Sequence, residues 1–398
     1  MQRDPRIVSQ FLDAACLRYD GHDCPETRQI AKQLLQEHPD LPAVDINTAA
    51  CLALPQTVRA MLAKQPNAVH QTSGPRDWPP LLYLTYSRLN IHNETFSSDP
   101  RETLEILLQA GADPNSAYTS EHHCIFTAVT GALGNGEGGL LKQPPHPHGF
   151  ELAERLLSAG AEPNDSQALY NWMQTHDDER CLELCLRHGL RAEHTLNWEP
   201  DRDIHTLDYL LTYAVSNGLT ERCRFLLQHG ADASVCREDG ITLYRIAVRY
   251  GYDAVATLLS AAGATLDITL CDRFFGACFR GDTDYIKECH QENPGLINDL
   301  SANDRTILHQ VAAKGSPEVV TALLEIGFNV NEREPSGYQH TPLHKAAMHG
   351  RHDIVELLLQ RGADRTALDT TYQGTPREWA KHHGHELLAA FIAAWPHP

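Results

Sequence analysis

The sequence predicts an all-α fold, a solenoid of about ten helix-turn-helix repeats with β-turn fingers. Three features predict it. A Leu-Leu-x-x-Gly-Ala-Asp phrase recurs along the chain, a Thr-Pro-Leu-His phrase or a variant of it precedes the C-terminal copies, and glycines close that second phrase at even spacing. These glycines lie 33, 30, 34, 35 and 34 residues apart and are Gly218, Gly251, Gly281, Gly315, Gly350 and Gly384. A unit of this length cannot bury its own apolar face, so neighbouring units must stack to form the core.

The Thr-Pro-Leu-His phrase predicts the first helix of each unit. In the stretch from Thr341 to Gly350, Pro342 suits the first helical turn because its missing N–H would have no partner there. Ala346 and Ala347 follow at helical spacing, and their small side chains let adjacent units approach closely. The closing glycine ends the helix, because glycine is free to adopt a positive φ.

The Leu-Leu phrase predicts the second helix. From Asp353 to Leu359 the apolar residues form a stripe of the kind that faces a core. Gly362 then ends this helix before the chain turns into the next finger. Each unit is therefore expected to run as helix, turn, helix and finger.

The two phrases and their spacing resemble the ankyrin repeat family over nearly the whole chain. The resemblance implies a stack of helix pairs that binds another protein on the concave surface of finger tips and first helices. It also implies that His309 and His344 hydrogen-bond backbone between adjacent repeats, a structural role rather than a catalytic one. With its divergent N-terminal half and inserted loops, the chain looks most like bacterial ankyrin-repeat proteins of undefined function.

The resemblance is uneven, and the chain is expected to have two regions. Residues 1–203 are predicted to form degenerate repeats with inserted loops at 87–100 and 131–149, and residues 204–398 regular repeats with a C-terminal cap. The glycine-rich start of the second insertion is not a phosphate loop, because no Gly-Lys-Ser/Thr follows and no predicted strand precedes it. Residues 144–148, rich in Pro and His, fit a solvated loop instead, although such an insertion can also serve recognition.

Composition and charge exclude several classes of function. With 33 Lys and Arg against 52 Asp and Glu, the formal net charge of −19 argues against nonspecific nucleic-acid binding. No apolar run approaches the ~18 residues that a membrane span needs, and the N-terminus lacks the apolar core of a secretory signal. The 11 cysteines include no Cys-x-x-Cys pair and are expected to be small buried side chains in a reducing cytoplasm. We expect a cytoplasmic monomer that binds neither nucleic acid nor membrane.

The sequence contains no recognisable catalytic, cofactor or metal motif. His382 and His383 are adjacent on a predicted helix, so they point about 100° apart and cannot readily share one ion. We therefore expect a non-enzymatic chain without cofactor or metal. The alternative is an enzyme or small-ligand binder with a pocket in the degenerate N-terminal repeats, and the aromatic residues that could line it are Trp78, Tyr83, Tyr86, Tyr170 and Trp172.

Partner contacts are expected at two sets of positions in the regular repeats. In the ankyrin pattern, residues just before each closing glycine commonly contact partners, and here they include Arg249, Tyr250, Phe279, Arg280, Lys314, Met348, His349, His382 and His383. The finger-tip positions are Glu238, Asp239, Asn303, Arg305, Tyr338 and His340. Arg, Tyr, Phe and Met are enriched at interfaces, although cations also collect at helix C-termini because of the macrodipole. The series Arg249, Arg280 and Lys314 predicts a partner protein with an acidic patch, and the chain would act as a protein–protein interaction scaffold.

Overall fold

The predicted all-α class is confirmed by the computed structural model, which describes residues 4–89, 98–120, 124–136, 138–198, 202–237 and 239–396. The chain divides into two compact units. One comprises Met1–Leu211 and Gln228–Ala231, and the other comprises Thr212–Leu227 and Asp232–Pro398.

The helices of the N-terminal half are α1 (Pro5–Ala15), α2 (Pro25–Glu37), α3 (Ile46–Cys51), α4 (Pro55–Lys64), α5 (Pro80–Tyr86), α6 (Pro100–Gln109), α7 (Ala128–Leu133), α8 (Gly139–Lys142), α9 (Gly149–Ser158), α10 (Ser166–Thr175) and α11 (Arg180–Arg187). Two short strands, β1 (Ala117–Thr119) and β2 (Ile125–Thr127), pair in an antiparallel hairpin within one finger.

The remaining helices are α12 (Thr206–Ser216), α13 (Thr220–Gln228), α14 (Leu243–Arg249), α15 (Asp253–Ala261), α16 (Leu270–Arg280), α17 (Thr283–Glu292), α18 (Leu296–Asp299), α19 (Ile307–Lys314), α20 (Pro317–Glu325), α21 (Pro342–Met348), α22 (His352–Gln360), α23 (Pro376–His382) and α24 (Glu386–Ala394).

Within each unit, helices pair in chain order and successive pairs stack. In the first unit α3 packs on α5 and α5 packs on α7. In the second unit the first helices α14, α16, α19, α21 and α23 pack on one another in sequence, and α24 packs on α23. This is the stacking that the repeat period predicts.

Helix starts in the regular repeats follow the expected capping chemistry. Thr375 precedes α23, and its hydroxyl accepts a hydrogen bond from the backbone N–H of Glu378 at 3.3 Å. The Glu378 carboxylate accepts one from the Thr375 N–H at 2.7 Å, which completes a capping box. Pro376 occupies the first helical turn, as predicted for this phrase.

The histidines of the Thr-Pro-Leu-His phrase bridge adjacent repeats, and this expectation is confirmed. His309 Nε2 lies 3.0 Å from the carbonyl oxygens of both Glu332 and His340. His344 Nε2 lies 3.1 Å from the carbonyl oxygen of Gly374 in the next finger. Both rings are buried, so each satisfies backbone groups that water cannot reach.

Large aromatic side chains fill the core of the first unit. Trp78 packs on Tyr86 with 5.0 Å between ring centroids, and Tyr19 stacks on Phe126 at 5.1 Å. A Cβ atom at Gly131 would lie 2.4 Å from the Tyr86 ring, so only glycine lets α7 approach α5 this closely. Where the regular repeats have small residues between stacked helices, the degenerate repeats have aromatic rings that pack against glycine.

The second inserted segment is only in part the solvated loop that the sequence predicts. Residues 131–133 are the buried end of α7, and His146 is buried as well, so the solvated-loop prediction for residues 144–148 is wrong at its centre. The cause is Arg88, whose guanidinium donates to the carbonyl oxygens of Pro144 at 2.7 Å and Gly131 at 2.8 Å. In the other insertion, Ser87 and Arg88 are buried, and residues 90–97 lie outside the described residues.

Candidate protein-binding surface

Two exposed aromatic rings lie side by side on adjacent repeats of the second unit. Tyr250 caps the C-terminus of α14, Phe279 lies in the last turn of α16, and their ring centroids are 5.5 Å apart. Each side chain is 38% exposed, although both are large and apolar. Gly251, with φ of +71°, lets the chain turn directly behind Tyr250, where a Cβ would meet the Gly276 carbonyl oxygen at 3.0 Å. The rings therefore form a fixed apolar surface at the predicted first-helix positions.

Arg249 is already paired within the chain. It lies 3.1 Å from Asp272, whose side chain is fully buried, and it also contacts Asp304. Its guanidinium covers the Phe275 ring at 4.1 Å from the centroid. Burial pushes the pKa of Asp272 upward, but hydrogen bonds from Thr269 and Arg249 outweigh it and hold that pKa below its usual value. The carboxylate is thus charged, and it neutralises much of the Arg249 charge.

The other two cations of the predicted series differ from each other. Arg280 forms an ion pair with Asp253 at 3.1 Å, and this carboxylate is largely exposed. Lys314, at the end of α19, is exposed to solvent. The series therefore does not present three free positive charges, because carboxylates from neighbouring helices reach two of them.

The remaining first-helix positions are mostly exposed. Met348 is half-buried, whereas His349, His382 and His383 are exposed. Slight desolvation, followed by the charge of the nearby His382, lowers the pKa of His383. Among the residues that the structure describes, no three His, Cys, Asp or Glu side chains are placed to hold a metal ion.

The finger-tip positions also differ in whether they form ion pairs within the chain. Asp239 is exposed and pairs with Arg237 at 3.0 Å, and Asn303 is exposed. Arg305 pairs with Glu332 at 3.2 Å. Glu238 lies outside the described residues.

Two neighbouring finger-tip positions have opposite surroundings. Tyr338 is 42% exposed, whereas His340 is only 1% exposed. The His340 ring stacks on Tyr338 and lies edge-on to Trp379, so it belongs to the interior and not to a contact surface. The expectation that His340 contacts a partner is corrected on this ground.

Sequence reasoning missed three exposed residues beside Tyr338. Tyr372 and Leu368 are 68% and 43% exposed, and Arg333 is exposed on the same pair of fingers. Tyr372 lies 34 residues after Tyr338, so the repeat register itself could have identified it.

Four of the five aromatic residues of the alternative prediction are buried in the first unit, and the fifth, Tyr170, is half-buried. Trp78, Tyr86 and Trp172 are all buried, and their rings contact other aromatic side chains. A small cavity elsewhere in this unit, lined in part by Cys51 and His146, has a volume of about 20 Å³, room for roughly one water molecule.

Comparisons with known proteins identify the repeats. A family model described as "Ankyrin repeats (3 copies)" matches residues 274–369. The ankyrin repeat protein YahD of Escherichia coli (strain K12) is 30% identical over 196 residues, which cover 47% of this chain and 94% of YahD. The chain belongs to the ankyrin repeat family. Ankyrin repeats are protein–protein interaction modules, and the family is in general not enzymatic.

Other relatives are longer proteins that match this chain over part of their length. The E3 ubiquitin-protein ligase XB3 of Oryza sativa subsp. japonica is 34% identical over 103 residues, 26% of this chain and 22% of XB3. Rabankyrin-5 of Mus musculus is 27% identical over 158 residues, 38% of this chain and 13% of Rabankyrin-5. The chain spans between 14% and 26% of the length of the ubiquitin-ligase relatives. None of the helices in the described part of the chain is long and apolar enough to cross a membrane.

Proposed function

We propose that this chain is a cytoplasmic, non-enzymatic scaffold that binds a partner protein through the concave face of its ankyrin repeats. The observation that supports this most directly is the exposed pair Tyr250 and Phe279 on adjacent repeats. These two rings expose apolar surface to water, and a partner that covered them would gain the free energy of burying that surface. Tyr is also among the residues most enriched in the hot spots of interfaces.

The charges around this pair refine the partner's chemistry. Because Arg249 and Arg280 already have carboxylate partners, an acidic group of the partner protein would compete with Asp304 and Asp253 for their positive charge. Lys314 is exposed one repeat further on, where an acidic group of the partner could reach it. We therefore expect apolar contact at the aromatic pair to dominate the affinity, with charge acting on orientation and association rate.

The alternative, a small-ligand pocket in the first unit, has weaker support. The aromatic residues that would line it pack on one another, and the Trp78 and Tyr86 rings are 5.0 Å apart. A ligand pocket usually needs several hundred cubic ångströms, on the order of 300 Å³ or more. The scaffold function fits the buried aromatic core better.

A binding experiment with two variants and one control tests the proposal. The partner is first identified by affinity purification with the whole chain and mass spectrometry, and is then purified. Tyr250→Ala and Phe279→Ala should each weaken its binding by about 30-fold, the size of a hot spot of roughly 2 kcal/mol. Leu387→Ala removes an even more exposed apolar side chain from α24 and should leave the affinity unchanged. If both aromatic variants keep their circular dichroism spectrum and bind like the wild type in isothermal titration calorimetry, this surface is not the contact site.

A further inference from the structure

A second exposed surface lies on two consecutive fingers of the second unit, one between α20 and α21 and the next between α22 and α23. We call it the tip patch and define it by four residues: Arg333, Tyr338, Leu368 and Tyr372. Its three apolar members are 42%, 43% and 68% exposed. Isolated exposed apolar residues are ordinary, whereas a group of exposed apolar side chains on one surface is typical of an interaction site.

Hydrogen bonds between the two fingers hold the tip patch in place. Arg333 Nη1 donates to the carbonyl oxygen of Leu368 at 2.9 Å and to that of Gln339 at 3.3 Å. The Thr370 N–H donates to the carbonyl oxygen of Tyr338 at 3.0 Å. A partner would therefore meet a preformed surface, and little conformational entropy would be lost on binding.

The turn that presents Tyr372 is built on a buried carboxylate. Asp369 accepts hydrogen bonds from the backbone N–H groups of Thr371, Tyr372 and Gly374 and from the indole N–H of Trp379, all between 2.7 and 2.9 Å. Asp369 is 1% exposed, so its carboxylate stabilises the turn and is not accessible to a ligand. Tyr372 is thereby held against Tyr338, with 5.7 Å between centroids and 22° between ring planes.

The charges at the tip patch favour an acidic ligand. Glu332 pairs with Arg305, and Glu334 pairs with Lys345 at 2.9 Å. Arg333 contacts backbone carbonyl oxygens, and among the described residues no carboxylate forms an ion pair with it. Hydrogen bonds from Thr366 lower the pKa of Asp364, and the charge of Arg333 adds a smaller share. An open positive charge thus lies beside three apolar side chains, on a chain whose net charge is −19.

We propose that the tip patch binds an acidic, apolar segment of a partner protein. An apolar side chain of that segment would cover the rings of Tyr338 and Tyr372 beside Leu368, and a neighbouring carboxylate would form a bidentate ion pair with Arg333. A basic segment would be repelled by the unpaired charge of Arg333, so it is disfavoured. The proposal rests on the protein-binding function above and adds a second contact surface with stated chemistry.

A peptide selection with the full chain tests the proposal. A phage-displayed library of random dodecapeptides is selected on the immobilised wild type, and the most enriched sequence is synthesised with a fluorescent label. We expect enriched sequences to place Asp or Glu beside Leu, Phe or Tyr. In fluorescence anisotropy, Tyr372→Ser and Arg333→Glu should each weaken binding of that peptide by about tenfold or more.

Matched variants separate binding at the tip patch from a general effect of surface charge. Arg361→Glu reverses the charge of another exposed arginine of the same unit and should leave peptide affinity unchanged. Arg333→Gln keeps N–H groups for the Leu368 carbonyl but removes the charge, so it should weaken binding even if Arg333→Glu disturbs the finger. Added salt should weaken binding to the wild type more than to Arg333→Gln.

Three outcomes would overturn the proposal. They are enrichment of basic sequences, enrichment of peptides that bind Tyr372→Ser as well as they bind the wild type, and no enrichment at all. If Tyr250→Ser weakens peptide binding and Tyr372→Ser does not, the peptide binds at the Tyr250 and Phe279 surface. That result would support the proposed function and contradict the tip-patch proposal. Loss of the proposed function is detected separately, with the purified partner and the Tyr250→Ala variant.

Discussion

At the scale of single residues, buried polar groups are held by the neighbouring repeat. His344 is fully buried, and its Nε2 hydrogen-bonds the carbonyl oxygen of Gly374 across the repeat boundary. On its other side, Nδ1 lies 2.8 Å from the Thr341 hydroxyl. Burial lowers the pKa of His344 from 6.5 to about 4; the Gly374 carbonyl opposes this shift and His340 adds to it. The imidazole is therefore neutral in the folded protein near neutral pH.

The lowered pKa of His344 predicts how the stability of the folded protein depends on pH. Because the folded-state pKa lies below the unfolded one, the unfolded chain binds a proton first as the pH falls from 6.5 to about 4. The stability contributed by neutral His344 is complete above that window and is lost within it, by up to about 3 kcal/mol. Urea unfolding of the wild type and of His344→Gln across this window measures the effect. The variant, less stable at neutral pH, should show the shallower pH dependence, and parallel curves would contradict the prediction.

At the scale of elements, one arginine fixes the second insertion to the repeats around it. Arg88 follows α5 and donates to four backbone carbonyl oxygens, those of Thr85, Ser87, Gly131 and Pro144, between 2.7 and 3.0 Å. The segment beyond α7 is also held by Arg28, which donates to the carbonyl oxygens of Leu141 and Lys142. The structured insertion nevertheless leaves Leu141 77% exposed.

Replacing this arginine should loosen the insertion specifically. Arg88→Met keeps much of the side-chain volume but leaves three buried carbonyl groups and the part-buried one of Pro144 without their donor, which should cost roughly 2 to 4 kcal/mol. Trypsin should then cut after Lys142 faster than in the wild type. Arg59→Met is the control, because Arg59 forms an exposed ion pair with Glu102 that contributes about 1 kcal/mol at most. Equal cleavage rates in Arg88→Met and the wild type would show that the Arg88 hydrogen bonds do not hold the insertion in place.

At the scale of the whole molecule, the two compact units predict two distinguishable unfolding events. Ala346 is fully buried in α21, which packs on α19 and α23 in the second unit. Ala346→Asp would bury an unpaired charge there and should destabilise this unit by several kcal/mol, on the order of 3 to 5. Hydrogen-exchange mass spectrometry should show lost protection in residues 232–396, with the amides of residues 4–211 unchanged.

A surface alanine provides the control for this change. Ala390 is exposed on α24, so Ala390→Asp adds the same charge without burying it and should change stability little. If Ala346→Asp lowers protection equally in both units, or both unfold in one superimposable transition, they do not fold as separate cooperative blocks.

The sequence by itself determined the class of fold and the repeating helix pair. Its evenly spaced glycines and its Thr-Pro-Leu-His phrase are local signals, because helix starts, helix ends and apolar stripes depend on residues only a few positions apart. The resemblance to the ankyrin repeat family implied that His309 and His344 bridge repeats, and its register gave Tyr250 and Phe279 corresponding positions on neighbouring repeats.

Only the tertiary structure decided which of these residues are open to a partner. Arg249 looks like a free cation in the sequence, yet Asp272 and Asp304 reach it from elements 23 and 55 residues away. His340 looks like a finger tip but is enclosed by Tyr338 and Trp379. Arg333, which no sequence pattern distinguishes, keeps an open charge because its neighbouring carboxylates pair elsewhere. The repeat register determines the backbone position from which a side chain projects. Its exposure and its ion pairs depend on side chains from other repeats, which the register does not encode.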